Sequence, residues 1–80
     1  MKELVEYLIK SLVDDPSQVS ITETDSESIS IIEVRVAETD MGKVIGKEGK
    51  IANAIRTVAK AAAGKAQKRV NVGFSSKEAI

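Results

Sequence analysis

The chain has no cysteine, no histidine and no tryptophan, and only one proline, one phenylalanine and one tyrosine. Without cysteine there is no disulfide and no thiolate metal site. Without histidine the commonest general base and the commonest zinc ligand are missing. The carboxylates form no recognisable acid/base pair, triad or metal cluster, so neither an enzyme nor a cofactor is expected. With two aromatic residues, platforms for stacking nucleic-acid bases are nearly excluded. No apolar run approaches the roughly 20 residues that span a bilayer. The opening MKELVEYLIKSLVDD is charged and amphipathic and lacks the apolar core of a signal peptide. The expectation is a cytoplasmic protein with no membrane partner. Eighty residues make one domain, 1–80, with a modest core.

What is present is a strong division of charge. The chain is neutral as a whole, with twelve basic and twelve acidic residues. Residues 1–40 hold three basic and ten acidic side chains; residues 41–80 hold nine and two. The positive charge begins at Lys43, Lys47, Lys50 and Arg56 and continues through Lys60, Lys65, Lys68 and Arg69. Such a field attracts phosphate and speeds encounter without specifying sequence.

The basic half opens on MGKVIGKEGKIANAIR, residues 41–56. Gly46-Lys47-Glu48-Gly49 separates Val44 and Ile45 from Ile51, Ala54 and Ile55. Two glycines let the backbone turn tightly and leave no side chain between the main chain and a sugar-phosphate backbone. The helix that follows offers free N–H groups to phosphate. An ordinary helix-turn-helix corner is the alternative. The Walker spacing and the dinucleotide-binding spacing are both absent.

Periodicity supplies the surrounding elements. Leu4, Val5, Leu8, Ile9, Leu12 and Val13 predict a helix over 2–14, stopped by Asp14-Asp15-Pro16. Alternation predicts a strand over 18–24, a polar turn at 25–28 and a second strand over 29–37. Ile32, Val34 and Val36 form the buried face of that strand. Ile29 and Ile31 then face outward, which implies a bulge or a partner surface. Thr39 or Asp40 can cap a short helix over 41–45. A longer helix over 50–63 carries the stripe Ile51, Ala54, Ile55, Val58 and Ala62 and ends near Gly64. Val70, Val72 and Phe74 point inward from a strand over 68–74, and the tail SSKEAI is expected to fray. Periodicity does not say where this last strand pairs.

Lys47 can reach a phosphate from the loop tip, whereas Glu48 repels one and is expected either to point into solvent or to stand as a carboxylate at the helix N-terminus, where the dipole favours it. Lys43, Lys50 and Arg56 are candidates to flank the same groove. Val44, Ile45 and Ile51 pack mainly in the core; with Ala54 or Ile55, part of that surface can floor an apolar groove for bases. The run Ala59, Ala61, Ala62, Ala63 and Ala66 fits two readings, high helix propensity or a close contact with a partner helix.

VIGKEGKIANAIR resembles the signature of KH domains, Val-Ile-Gly-x-x-Gly followed by an apolar helix. The order α-β-β-α-α-β resembles the type II, bacterial arrangement. The length, the start MKELVEYLIKSLVDDP and the stretch IGKEGKIANAIRTVAKAAAGK resemble the KhpA (YlqC) family of stand-alone KH proteins, over essentially the whole chain. The resemblance implies an α+β, two-layer fold. Its three-stranded mixed sheet would be covered by helices on one face, with the last strand parallel to a neighbour. It implies that about four nucleotides of single-stranded RNA lie in the cleft beside the loop. Gly46, Lys47, Glu48 and Gly49 would then be the backbone clamp, Val44 and Ile45 its lead-in, and Lys50 to Ile55 the helix beside the groove. It also implies a homodimer, or a heterodimer with a larger KhpB-like KH protein. One departure stands out: Ala52 occupies a position where many KH domains carry a large aliphatic residue. Two functions compete on this reading, a non-catalytic RNA-binding module and a protein-interaction module with little RNA affinity of its own.

Overall fold

The computed structural model describes residues 2–77. Helix α1 spans Lys2–Leu12 and buries Val5 and Ile9, one turn apart on the same face. Lys10 reaches back to Glu6 on the solvent side. The helix ends two residues earlier than its periodicity predicts. Val13 N–H still reaches Ile9 O, but the next two N–H groups, of Asp14 and Asp15, donate to the Asp40 carboxylate at 3.2 and 3.1 Å. Asp40 is 1% exposed. A buried carboxylate distant in sequence therefore ends this helix, and Pro16 instead opens the 3₁₀ turn Pro16–Gln18.

Strands β1 (Ser20–Asp25) and β2 (Ile29–Val36) form an antiparallel hairpin with Ile21 opposite Val34. The amide N–H and the hydroxyl of Ser26 both donate to Ile29 O and close the turn. Strand β3 (Arg69–Ser76) pairs parallel to β2 with Val72 opposite Ile32, giving the sheet order β1-β2-β3. Both ladders run without interruption, so no bulge turns Ile29 and Ile31. Ile31 lies on the open face of the sheet, 47% exposed, while Ser30, Ile32, Val34 and Val36 are buried beneath the helices. Ser75 and Ser76 belong to β3 rather than to a frayed tail, and Lys77 N–H donates to Val36 O. The rest of the predicted tail, 78–80, lies outside the described residues.

Helix α2 covers Met41–Ile45 and α3 covers Lys50–Lys65. The buried stripe of α3 is Ala52, Ile55, Ala59 and Ala63, about a quarter of a turn from the predicted one. Ile55 belongs to both. Ala54 and Val58 are exposed, and Ile51 and Ala62 half-buried. The small side chains of Ala52, Ala59 and Ala63 face the core because they let α3 lie close to its neighbours. Pattern reading favours the larger Ile51 and Val58, so it misplaced the face.

The helix also runs past Gly64. Gln67 (φ 59°) supplies the left-handed residue, its N–H donates to Gly64 O, and Lys68 N–H donates to Ala63 O. This is a Schellman cap built on glutamine. Lys68 then donates to the Asp25 carboxylate, as does Ser30 Oγ at 2.7 Å, tying the hairpin to the start of β3. The Lys68 bond, followed by that of Ser30, holds the Asp25 carboxyl below its usual range.

Candidate nucleic-acid interface

The interface is built around the break between α2 and α3. Asp40 stands at the N-cap of α2, yet neither it nor Thr39 supplies the predicted side-chain cap. The Asp40 carboxylate is turned toward Asp14 and Asp15, and Thr39 lies within the 3₁₀ turn Glu38–Asp40. Lys43 is drawn the same way. Its ammonium donates to the Asp14 carboxylate and lies 3.8 Å from Asp40. The Asp14 bond raises the Lys43 pKa above the ordinary lysine value. Lys43 thus fastens α2 to the end of α1.

At Gly46 the chain turns sharply out of α2, with φ 76° and ψ 174°, and its N–H closes the helix on Gly42 O. A β-carbon here would stand 2.6 Å from Cγ1 of Ile51. Ile51 therefore packs directly over the first glycine. Lys47–Gly49 is a single 3₁₀ turn in which Glu48 has φ 58° and Gly49 φ 75°. A β-carbon on Gly49 would meet only the Asn53 amide, at 3.9 Å. The first glycine is fixed by packing and dihedral together, the second by dihedral alone. The first N–H groups of a helical turn have no partner within it, and here they belong to Lys47 and Glu48. The side chains of Lys47, Glu48 and Lys50 are all exposed.

The remaining predicted residues separate by burial. Val44 is fully buried and Ile55 nearly so; they support the loop from beneath and offer no surface to a ligand. Ile45 and Ile51 are half-buried, and Ala54 is exposed on the flank of α3. Ala52 is buried, and Ile51 supplies the bulk beside the loop that Ala52 lacks.

Asn53 and Phe74 complete a constellation that the sequence did not single out as a site. Arg56 crosses from α3 to β3 and donates through Nε to Val72 O at 3.1 Å and through Nη1 to Asn53 Oδ1 at 3.2 Å. Its guanidinium lies over the Phe74 ring, 5.2 Å from the centroid. The three-residue spacing of Asn53 and Arg56 was a legible signal; the approach of β3 was not. A cavity of about 540 Å³ opens here, its lining including Arg56, Lys60, Asn71, Phe74, Ile31 and the carboxylate of Glu33. Among the described residues no group of acidic side chains is placed to hold a metal ion. No described helix is long and apolar enough to cross a membrane.

The chain is similar to known proteins in sequence and in fold. The family described as KhpA/KhpB, KH domain, matches over residues 2–74. A protein named RNA-binding protein KhpA from Clostridium acetobutylicum is 58% identical over 72 residues, covering 90% of this chain and 96% of that protein. Its namesake from Caldanaerobacter subterraneus is 56% identical with the same coverage. That from Borreliella burgdorferi is 44% identical over 88% of this chain and 85% of its own. Among solved structures, Era in complex with MgGDPNP and a segment of 16S ribosomal RNA superposes with a TM-score of 0.65 at 17% identity. That match covers 94% of this chain but only 29% of the Era chain, and it bears on fold alone.

Proposed function

The chain belongs to the KhpA/KhpB KH-domain family, and from that premise we propose that it binds single-stranded RNA without a catalytic step. Its relatives carry the name RNA-binding protein. The observation that carries the reading here is the Gly46–Gly49 turn. Two glycines at positive φ clear the main chain of side chains at the point where the Lys47 and Glu48 N–H groups have no partner within the turn. In this reading Gly46, Lys47, Glu48 and Gly49 hold the sugar-phosphate backbone, with Lys50 beside them. Ile45, Ile51 and Ala54 give bases an aliphatic contact, and Val44 and Ile55 keep the turn in place from below. Lys43 acts through α2 and leaves the phosphates to its neighbours.

The test compares wild type with a Lys47→Asp/Glu48→Asp variant. Aspartate tolerates the left-handed conformation of residue 48 better than most residues, so the fold should survive. Wild type is expected to bind a fluorescent single-stranded RNA pool more tightly than duplex RNA. Its affinity should fall as salt rises, with a log–log slope of about −0.7 per phosphate neutralised. The variant should unfold at the same temperature and lose binding where wild type saturates. Undiminished binding by a folded variant would remove the loop from the interface.

A second reading concerns association with another copy or a KhpB-like protein. It is favoured by the apolar flank that α3 leaves uncovered, where Val58 is 43% exposed and Ala62 lines a cavity with Leu4. Ala62→Arg should shift sedimentation of an assembled form toward the monomer and leave RNA affinity per chain unchanged; an unaltered sedimentation profile would count against that flank.

A further inference from the structure

The positive charge does not stop at the loop. Asn53, Arg56 and Lys60 follow one another along a single face of α3, at helical spacings of three and four. Beyond Lys60 the same side of the molecule opens into a second cavity of about 330 Å³, lined by Lys60, Lys68, Arg69, Val70 and Asn71. It shares Lys60, Val70 and Asn71 with the larger cavity under Arg56, so the two are continuous. No carboxylate lines the second cavity; Glu33, which lines the larger one, is held by Arg35 at 2.8 Å. Lys68 is committed to Asp25. Among the described residues Lys60 and Arg69 have neither an ion pair nor a side-chain hydrogen bond.

Two features keep this path open. Gly73 carries no side chain, and nothing lies within 4 Å of where its β-carbon would stand. Its glycine is not needed for packing, and its φ is not positive, so what it provides is clearance along β3. Strand β3 is also an edge of the sheet, with only β2 beside it. The loop precedes the first residue of α3 and the N-terminus of β3 follows its last, so the 16 residues of the helix separate them by about 24 Å at 1.5 Å per residue.

We propose that the RNA footprint continues past the Gly46–Gly49 clamp, along α3 and the free edge of β3, to a second phosphate-binding cleft formed by Lys60, Arg69 and Asn71. The occupant is the backbone of the same RNA strand. Two unpaired cations and an amide in a cleft without acid suit phosphate, and the larger cavity leads from it to Arg56, whose partner Asn53 stands beside Gly49. A stacked strand advances about 3.4 Å per nucleotide, so 24 Å accommodates about seven nucleotides, where the loop clamp alone holds about four. The inference rests on the RNA-binding reading above.

Oligonucleotides of four and eight nucleotides separate the two sites. A four-nucleotide clamp meets five registers on an eight-mer, so chance alone gives a gain of about fivefold. Wild type should bind the eight-mer more than about tenfold tighter than the four-mer. Its salt slope should be steeper by about 1.4, the contribution of two further phosphate contacts on a single strand. In a Lys60→Ala/Arg69→Ala variant, four-mer affinity should be unchanged, the eight-mer gain should fall to the statistical value and the extra slope should vanish. A Lys2→Ala/Lys10→Ala variant, which loses the same charge elsewhere, should behave as wild type.

An eight-mer gain no larger than statistical in wild type would overturn the proposal. So would equal losses in the two double variants, because the effect would then be the field of the whole molecule. Loss of four-mer binding in Lys60→Ala/Arg69→Ala would also overturn it, by placing these residues in the clamp itself. If wild type bound neither oligomer, the clamp reading would fall together with this one. A normal four-mer response with no length effect would refute the second cleft alone.

Discussion

The two glycines of the loop look equivalent in the sequence and differ in the structure. Gly46 combines φ 76° with ψ 174°, a region that is almost exclusively glycine's, and Ile51 presses on it. Gly49 lies in the ordinary left-handed region, and its β-carbon would make only an ordinary contact with the Asn53 amide, at 3.9 Å. Gly46→Ala should therefore cost about 3 kcal/mol, from backbone strain and displacement of Ile51 together. Gly49→Ala should cost about 1 kcal/mol, from the dihedral alone. Urea unfolding of both variants reads the difference. Adding Ile51→Ala should relieve Gly46→Ala and leave Gly49→Ala additive, as a double-mutant cycle would show. Equal costs for the two alanines would mean that the packing of Ile51 on Gly46 has no energetic weight. The sequence showed that a glycine pair was needed at 46 and 49. It could not show which one is pinned, because that depends on the side chain two residues beyond the turn.

At the scale of elements, the sequence was legible wherever the signal was local. The alternation of Ile32, Val34 and Val36 placed β2 correctly, and the outward assignment of Ile31 holds even though its motive, a bulge or a partner, is not needed to explain the ladder. The misreadings fall where a contact outside the periodic pattern decides. Helix α1 stops at Leu12 because Asp40 takes the next amides. The same contact turns Asp40 away from the α2 cap expected of it. Helix α3 passes Gly64 because Gln67 and Lys68 close a longer cap. Its buried face is set by how close the alanines allow it to approach, a property of the pair of surfaces rather than of the helix. Pairing of β3 was open to periodicity and followed only from family resemblance; the parallel register with β2 bears that out. Arg56 shows the same limit within the site. Its charge was legible, but its use, bridging Asn53 on α3 to the Val72 carbonyl on β3, requires the sheet to be in place.

At the scale of the molecule, the opposed charges of the two halves raise the question of whether the acidic part works against the interface. The hairpin turn that carries Glu27 lies beside the start of β3, since Arg69 N–H donates to Ser28 O, and so sits at the C-terminal end of α3. The loop sits at the other end, about 24 Å away by the rise of the helix. That is about three screening lengths at physiological ionic strength, and less than one at 0.01 M. Glu27→Lys changes the charge of the turn by two. For a four-nucleotide RNA with three phosphates held at the loop, the unscreened effect in water is ~1 kcal/mol. Screening reduces it to ~0.05 kcal/mol at 0.15 M and leaves ~0.5 kcal/mol at 0.01 M. The variant should therefore match wild type on the four-mer at 0.15 M and bind about twofold tighter at 0.01 M. Lys50→Glu, beside the loop, should weaken binding at both. Fluorescence anisotropy at the two ionic strengths is the measurement. A large gain from Glu27→Lys at 0.15 M would mean that the RNA reaches the hairpin end of the molecule even when only four nucleotides long, and that the loop is not where a short strand is held.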